Sequence, residues 1–372
     1  MKLILSAAGA LSLSLAPAQA QNFNDPEEFA KQQEQLQAQP NGPEGEPWLQ
    51  YIGDGMVETG DLGIEAPATV CFSNAGVNNP WRVVGFTNMT EELANHQSIG
   101  EFIHVDAEGS DDKQIADIDD LLAGGNCDVM IVSPNTTAAL TPAVEQACES
   151  MPVIVFDRGV NTDCPVTYVH PVGGYGFGIE GAEFIAGELD EGDNVLMLRI
   201  LPGVDVLETR YSAGRRILDE AGLNVVGAEF TDGDNARTKS IVEDYLMRGD
   251  IDAVWMDAGA TAVAAIEAFE DSGYEIPVFV GEDQQDFLRK WEEEGMTAIA
   301  PTYPTYQWRT AVIAAARVIE GEALPGPEWV LPQPAITEET LAEYVNPAMP
   351  PLHYAMCGCE TMETYPEAWG GN

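Results

Sequence analysis

Basic residues are scarce in this chain. Lysine and arginine number 16 against 62 aspartates and glutamates, which leaves a net charge of -46. A surface this acidic repels phosphates, so nucleic acid and anionic lipid are excluded as partners. Long apolar runs are nearly missing too. The one present, residues 3–15, is too short to span a bilayer comfortably. Only 4 histidines occur, and they are isolated, with no Ser-His-Asp or Cys-His arrangement in a recognisable order. There is no G-x-x-x-x-G-K-[ST] and no G-x-S-x-G, so neither a phosphate-cradling loop nor a hydrolase elbow is expected.

What is there begins with the anatomy of an export signal. Lys2 is followed by an apolar stretch and then by Ala18-Gln19-Ala20, a small-residue cleavage site. The expected mature chain starts after Ala20, at Gln21. It has no cysteine there for a lipid anchor, and it is expected to be soluble in the periplasm. Six cysteines fit export, because disulfides persist outside the cytosol. Cys148 and Cys164 flank one short strand, which favours a local bridge. Cys71 reads as a strand-core residue. Cys357-Gly358-Cys359 has only His353 nearby, too little for a metal site, so no metal and no cofactor are expected. Hydrophobic residues make up 45% and arrive in regular blocks, so the acidity belongs to a folded surface. Such a surface suits a salty habitat, where counterions screen self-repulsion.

From residue 68 onward, short apolar strands alternate with helices. Strands are expected over 69–72, 102–105, 128–132 and 152–156, with helices up to 96 and over 111–122 and 135–148. The same rhythm runs through 175–300. It specifies an α/β fold of two Rossmann-like, doubly wound parallel sheets with right-handed crossovers. Residues 167–174 interrupt the rhythm and are read as a first crossing between domains. The proline-marked stretches 300–304 and 325–334 would be the second and third crossings, which makes a multi-strand hinge. The expected division is a signal at 1–20, an extension at 21–67 and a tail at 346–372. The first lobe would be 68–169 plus 301–324, and the second 170–300 plus 325–345. Gly174-Tyr175-Gly176-Phe177-Gly178 lacks the G-x-G-x-x-G spacing and a strand directly before it, so it is not read as a nucleotide loop. Asp232-Gly233-Asp234-Asn235 lacks the twelve-residue calcium pattern and reads as a cap for a helix from 236.

Ligands of open parallel sheets sit outside the carboxyl ends of the strands. The strand at 152–156 ends in Asp157-Arg158, a pair able to grip a polar ligand or to form a surface ion pair of little worth. Three further stretches join it in order. They are the loop Asn78-Asn79-Pro80-Trp81-Arg82, the helix start Glu208-Thr209-Arg210, and a strand over 278–283 that ends in Asp283. Together these resemble the ribose-binding type of periplasmic sugar-binding proteins, soluble receptors of ABC importers, over roughly residues 68–344. The resemblance implies the type I periplasmic binding protein fold, hinge closure about a ligand, no enzymatic activity, a monomer, and an ABC permease at the inner membrane as partner. It points to ligand contacts from Asn79, Trp81, Arg82, Asp157, Arg158, Arg210, Asn235, Asp257, Asp283 and Tyr303.

Four of these have a plainer alternative beside the ligand role. Trp81 would stack on a sugar face or pack in the core. Arg82 would reach the ligand or only neutralise acids. Arg210 would donate to the ligand or lie exposed on its helix, and Asp283 would accept from hydroxyls or cap a helix. The chain also departs from the family. Gly233 stands where an aromatic platform is expected, and Asp257-Ala258 where an amide is expected. No glutamine follows Pro301, although Tyr303 or Gln307 could substitute. The expected ligand is a small neutral sugar or polyol, and these departures count against ribose itself. Two arginines in the cleft keep a sugar acid or small carboxylate as an alternative. Sensing with the same fold is an alternative to transport.

Overall fold

The computed structural model describes residues 23–372, so the expected signal segment and its cleavage after Ala20 lie outside the described residues. The chain opens with helix α1 (Pro26–Leu36) and an extended arm. Then β1 (Ala68–Asn74), α2 (Pro80–Glu92), β2 (Ile99–Asp106), α3 (Asp111–Gly124), β3 (Val129–Ser133), α4 (Thr137–Cys148), β4 (Val153–Phe156) and β5 (Thr167–Pro171) build the first lobe. The second lobe comprises α5 (Gly174–Glu188), β6 (Asn194–Arg199), α6 (Asp205–Glu220), β7 (Asn224–Phe230) and α7 (Asn235–Leu246). It continues with β8 (Ala253–Met256), α8 (Ala262–Ser272), β9 (Val278–Val280), α9 (Gln285–Glu294) and β10 (Ala298–Ile299). Helix α10 (Gln307–Glu320) and β11 (Glu328–Leu331) return to the first lobe.

Two parallel sheets result. The first has strand order β11-β5-β4-β3-β1-β2 and the second β10-β9-β8-β6-β7. Every residue of β3 and β4 is buried, as befits parallel strands covered by helices on both faces. In the first lobe, α10 lays Trp308, Ala311 and Val312 on that sheet beside Phe72 and Phe156.

One boundary differs from expectation. The sequence pattern puts residues 325–345 in the second lobe, but β11 pairs in parallel with β5 and buries Trp329 and Leu331 in the first core. The proline-rich marking of this region hid a short edge strand, a place where proline is tolerated nearby. The third crossing therefore comes after Leu331, and the chain reaches the second lobe where Ile336 bridges Ala300. The crossings are tied to one another. Gln333 bonds both the N–H and the carbonyl of Gly173, and Thr302 donates to the Pro334 carbonyl at 2.8 Å.

The arm and the tail both straddle the lobes. Phe29 of α1 packs edge-on against Tyr175 of the second lobe, while Trp48 is buried in the first core. The tail hydrogen-bonds to α9 through Arg289 and to α2 through Trp369 and Asn88. Disulfides join Cys71 to Cys127, Cys148 to Cys164, and Cys357 to Cys359. Cys71 is thus a core residue that is also bridged. Among the described residues, no helix is long and apolar enough to cross a membrane.

Candidate ligand-binding cleft

A cavity of about 180 Å³ lies between the lobes, at the carboxyl ends of their strands. Asn79, Trp81, Arg82, Asp157, Arg158, Arg210 and Tyr303 all line it. Their placement begins with local structure. Asn79 caps α2 by accepting from the Arg82 N–H at 2.9 Å, and Pro80 occupies the first helical turn, where its missing N–H costs nothing. That start aims Trp81 and Arg82 at the cleft. The Trp81 indole N–H donates to the Tyr303 carbonyl at 2.7 Å, and its ring also packs on Trp308. Core packing and cavity lining are therefore both true of Trp81.

Asp157 follows β4 with φ at 69°, in the left-handed region that costs a non-glycine residue free energy. The conformation is held from two sides, since the hydroxyls of Tyr168 and Tyr303 both donate to its carbonyl. Its carboxylate accepts from Arg82 Nη2 at 2.8 Å. Arg82 is almost wholly buried, and burial pulls it down to about 10, with nearby Arg158 acting in the same direction and Asp157 opposing. Arg158 donates to the Asn135 carbonyl and pairs with no carboxylate among the described residues.

Arg210 faces the cavity from α6. Its guanidinium lies 3.9 Å from the Phe177 ring centroid and 4.9 Å from that of Tyr303. Nη1 donates to the Asp257 carbonyl at 2.6 Å and to Glu282 Oε1 at 3.2 Å. Its exact reach depends on how closely α6 approaches α5. A Cβ on Gly174 would come within 2.0 Å of Thr209 Oγ1, and one on Gly178 within 2.2 Å of the Arg210 carbonyl oxygen. Gly174 and Gly178 thus serve the close packing of α5 on α6, and the run follows β5 directly, where no strand was expected before it.

Two lobes joined by three crossings thus enclose a cleft between strand ends, where charged side chains meet an aliphatic and aromatic wall. A profile of the periplasmic binding protein domain matches residues 70–323. The chain belongs to the periplasmic binding protein family. This binding protein is 29% identical over 256 residues to the ribose import binding protein RbsB of Bacillus subtilis (strain 168), covering 68% of this chain and 82% of the relative. An ABC transporter solute binding protein from Thermobispora bispora DSM 43833 matches it with TM-score 0.68 at 24% identity, over 77% of this chain and 90% of the other. One from Bacillus halodurans C-125, solved with bound myo-inositol, matches with TM-score 0.67 at 23% identity, over 76% and 99%. These likenesses agree with the fold read from the alternating strands and helices. The relatives are solute-binding proteins, not enzymes.

Three residues chosen from the sequence do not line the binding protein's cavity. Asn235 is exposed at the start of α7 and borders a separate depression with Lys239 and Leu352. Asp234 caps that helix, which therefore starts one residue earlier than expected. Asp257 is fully buried behind the wall, where Oδ1 accepts from the Ile200 N–H at 2.7 Å and so joins the ends of β8 and β6. Asp283 is also buried, and its carboxylate accepts from the Met356 N–H of the tail at 2.7 Å. Burial pushes Asp257 and Asp283 up to about 7 each. Gln307 turns to the Pro304 carbonyl, so Tyr303 alone of the two suggested substitutes lines the cleft.

Sequence reasoning missed Glu282, Tyr354 and the aliphatic wall of Ile200, Leu201, Val204, Val206 and Leu207. Glu282 is the neighbour of Asp283, and neighbours after a strand point to opposite sides, so a one-residue shift decides which acid faces the cleft. Tyr354 had no signal, since it lies in a tail beyond the matched family stretch. His353, Cys357 and Cys359 bring their ligand atoms within 4.8 Å of one another, but the two sulfurs are joined in a disulfide.

Proposed function

We propose that this protein is exported to the periplasm, captures a small sugar or polyol between its lobes, and presents it to an ABC importer at the inner membrane. The observation that carries this reading is the composition of the cavity between the lobes. Trp81 and Tyr303 offer aromatic surface for the apolar face of a sugar ring, while Asp157, Arg158 and Arg210 stand at its rim as acceptor and donors for hydroxyls. Closure about the three tied crossings would bury the ligand, and the closed state gains only what the ligand's differential affinity supplies. No bond of the ligand need be broken. The names of the relatives, a ribose import binding protein and a solute binding protein holding myo-inositol, agree with a sugar or polyol.

A second reading keeps the site and changes the ligand's charge. Arg158 lines the cavity with no carboxylate partner among the described residues, which favours a sugar acid. A thermal-shift screen of the mature protein in high salt tests both readings, using sugars, polyols, sugar acids and amino acids. A ligand at a hundredfold its dissociation constant stabilises by about 2.7 kcal/mol, enough to read. A hit among neutral sugars or polyols supports the first reading, and a hit confined to sugar acids supports the second. A response only to amino acids, or to none of the panel, overturns both.

A further inference from the structure

The second lobe presents aliphatic side chains to the cavity along the stretch from Ile200 to Leu207. The aromatic ring on that side comes from elsewhere. Tyr354 lies in the C-terminal tail, outside the stretch 70–323 that matches the family, yet it lines the cavity. We infer that Tyr354 is a specificity-determining residue of this protein, a fixed aromatic wall that limits the ligand to a single sugar or cyclitol ring. The inference rests on the reading of the cavity as a sugar or polyol site.

The wall is fixed because the backbone is clamped on both sides of it. The His353 carbonyl accepts from the Gln285 N–H at 2.9 Å, and the Ala355 N–H donates to the Asp283 carbonyl at 2.9 Å. The next residue, Met356, donates to the Asp283 carboxylate through its N–H, and its carbonyl accepts from the Thr305 N–H at 3.0 Å. Asn88 of α2 then donates to the Cys357 carbonyl at 3.0 Å. The tail therefore passes from one lobe to the other within a few residues of Tyr354 and holds its ring between them. The phenol is committed as well. Its oxygen accepts from Gln284 Nε2 at 2.7 Å and lies 3.4 Å from Glu282 Oε2. Glu282 in turn holds Arg210. A side chain with both its backbone and its hydroxyl engaged cannot swing aside for a larger ligand, so its bulk acts on ligand size. The same contacts explain why Asp283 is withdrawn from the cleft: the tail uses its carboxylate as a docking point.

The test is calorimetric titration of wild-type protein, Tyr354→Phe and Tyr354→Ala with D-ribose, myo-inositol and maltose, with melting curves as a fold control. The expected result is a fall of about tenfold or more in the single-ring to maltose affinity ratio for Tyr354→Ala, of the order that loss of one aromatic contact gives. Tyr354→Phe keeps the ring and is expected to stay within about threefold of wild type in that ratio. A ratio unchanged in a folded Tyr354→Ala overturns the inference, and so does an equal loss for every probe, which would mark Tyr354 as merely structural. Should the alanine variant not fold, Tyr354→Leu is judged by the same ratio. Where neither single-ring probe binds, the best sugar or polyol of the thermal-shift screen takes their place; a wild-type protein that binds no sugar or polyol at all overturns the sugar reading and this inference with it, whereas wild-type binding with no change of ratio overturns this inference alone.

Discussion

Arg82 Nη2 donates to Asp157 Oδ2 at 2.8 Å, and about 4% of each side chain is exposed. One residue comes from the first turn of α2, the other from the end of β4. Neither charge has water to fall back on. Of the two roles left open for Arg82, the pair establishes neutralisation of the acid at the strand end, from a position that also lines the cleft.

Removing one partner should therefore cost much more than breaking a surface pair. Arg82→Met is expected to destabilise the fold by about 3–5 kcal/mol, because it strands a buried carboxylate. The double variant Arg82→Met/Asp157→Asn should recover part of that loss. Urea unfolding of the three proteins checks this. A single-variant loss below about 1 kcal/mol would place the pair among solvated surface bridges.

Stability should fall as pH rises from about 4 to about 8. Burial pushes Asp257 and Asp283 up to about 7 and Glu180 to about 8, against ordinary values of 3.8 and 4.5. Between those limits the folded protein keeps protons that the unfolded chain has released. The folded state binds more protons, so stability is lost as pH rises through the window and is lowest above it. Asp283→Asn should melt higher than wild type at pH 8.5 and close to it at about pH 4, where the carboxyl is protonated in the folded state and in much of the unfolded chain. Melting curves at the two pH values decide; equal shifts at both would mean that the effect is not protonation.

Gly178→Ala should weaken ligand binding from a position outside the cavity lining. The added methyl meets the Arg210 carbonyl oxygen at 2.2 Å and forces α6 away from α5. Overpacking of this kind costs about 1–3 kcal/mol, and here it also moves a cleft arginine. Gly187→Ala is the control, since a Cβ there meets nothing within 4 Å. Melting temperature and affinity for the best ligand of the thermal-shift screen are the measurements. Equal behaviour of the two variants would remove the close helix approach from the account of Arg210.

Added salt should raise the melting temperature. The net charge of -46 makes the compact state repel itself. The screening length falls from about 10 Å at 0.1 M salt to about 3 Å at 1 M. Melts in rising sodium chloride measure it, and a flat response would contradict the salt-adapted reading of the composition.

Much of this was legible in the chain itself. Strand and helix alternation follows from side-chain periodicity, a local property, so the two parallel sheets could be read from residues 68–300. Asp157-Arg158 could be placed in the cleft because a strand end is a local feature with a known position in a parallel sheet. Asn79, Trp81 and Arg82 were pointed to by the resemblance of their loop to the first loop of the family, not by a local pattern of their own. What the tertiary structure alone decided concerns contacts between distant segments. Whether Glu282 or Asp283 faces the ligand depends on the tail docking on Asp283. The assignment of β11 to the first sheet depends on pairing with β5, about 160 residues earlier by the register Val330 to His170. Tyr354 enters the cavity only because hydrogen bonds to both lobes hold the tail there. Local patterns carry no record of such bonds, since their energy arises only when segments far apart in sequence are brought together.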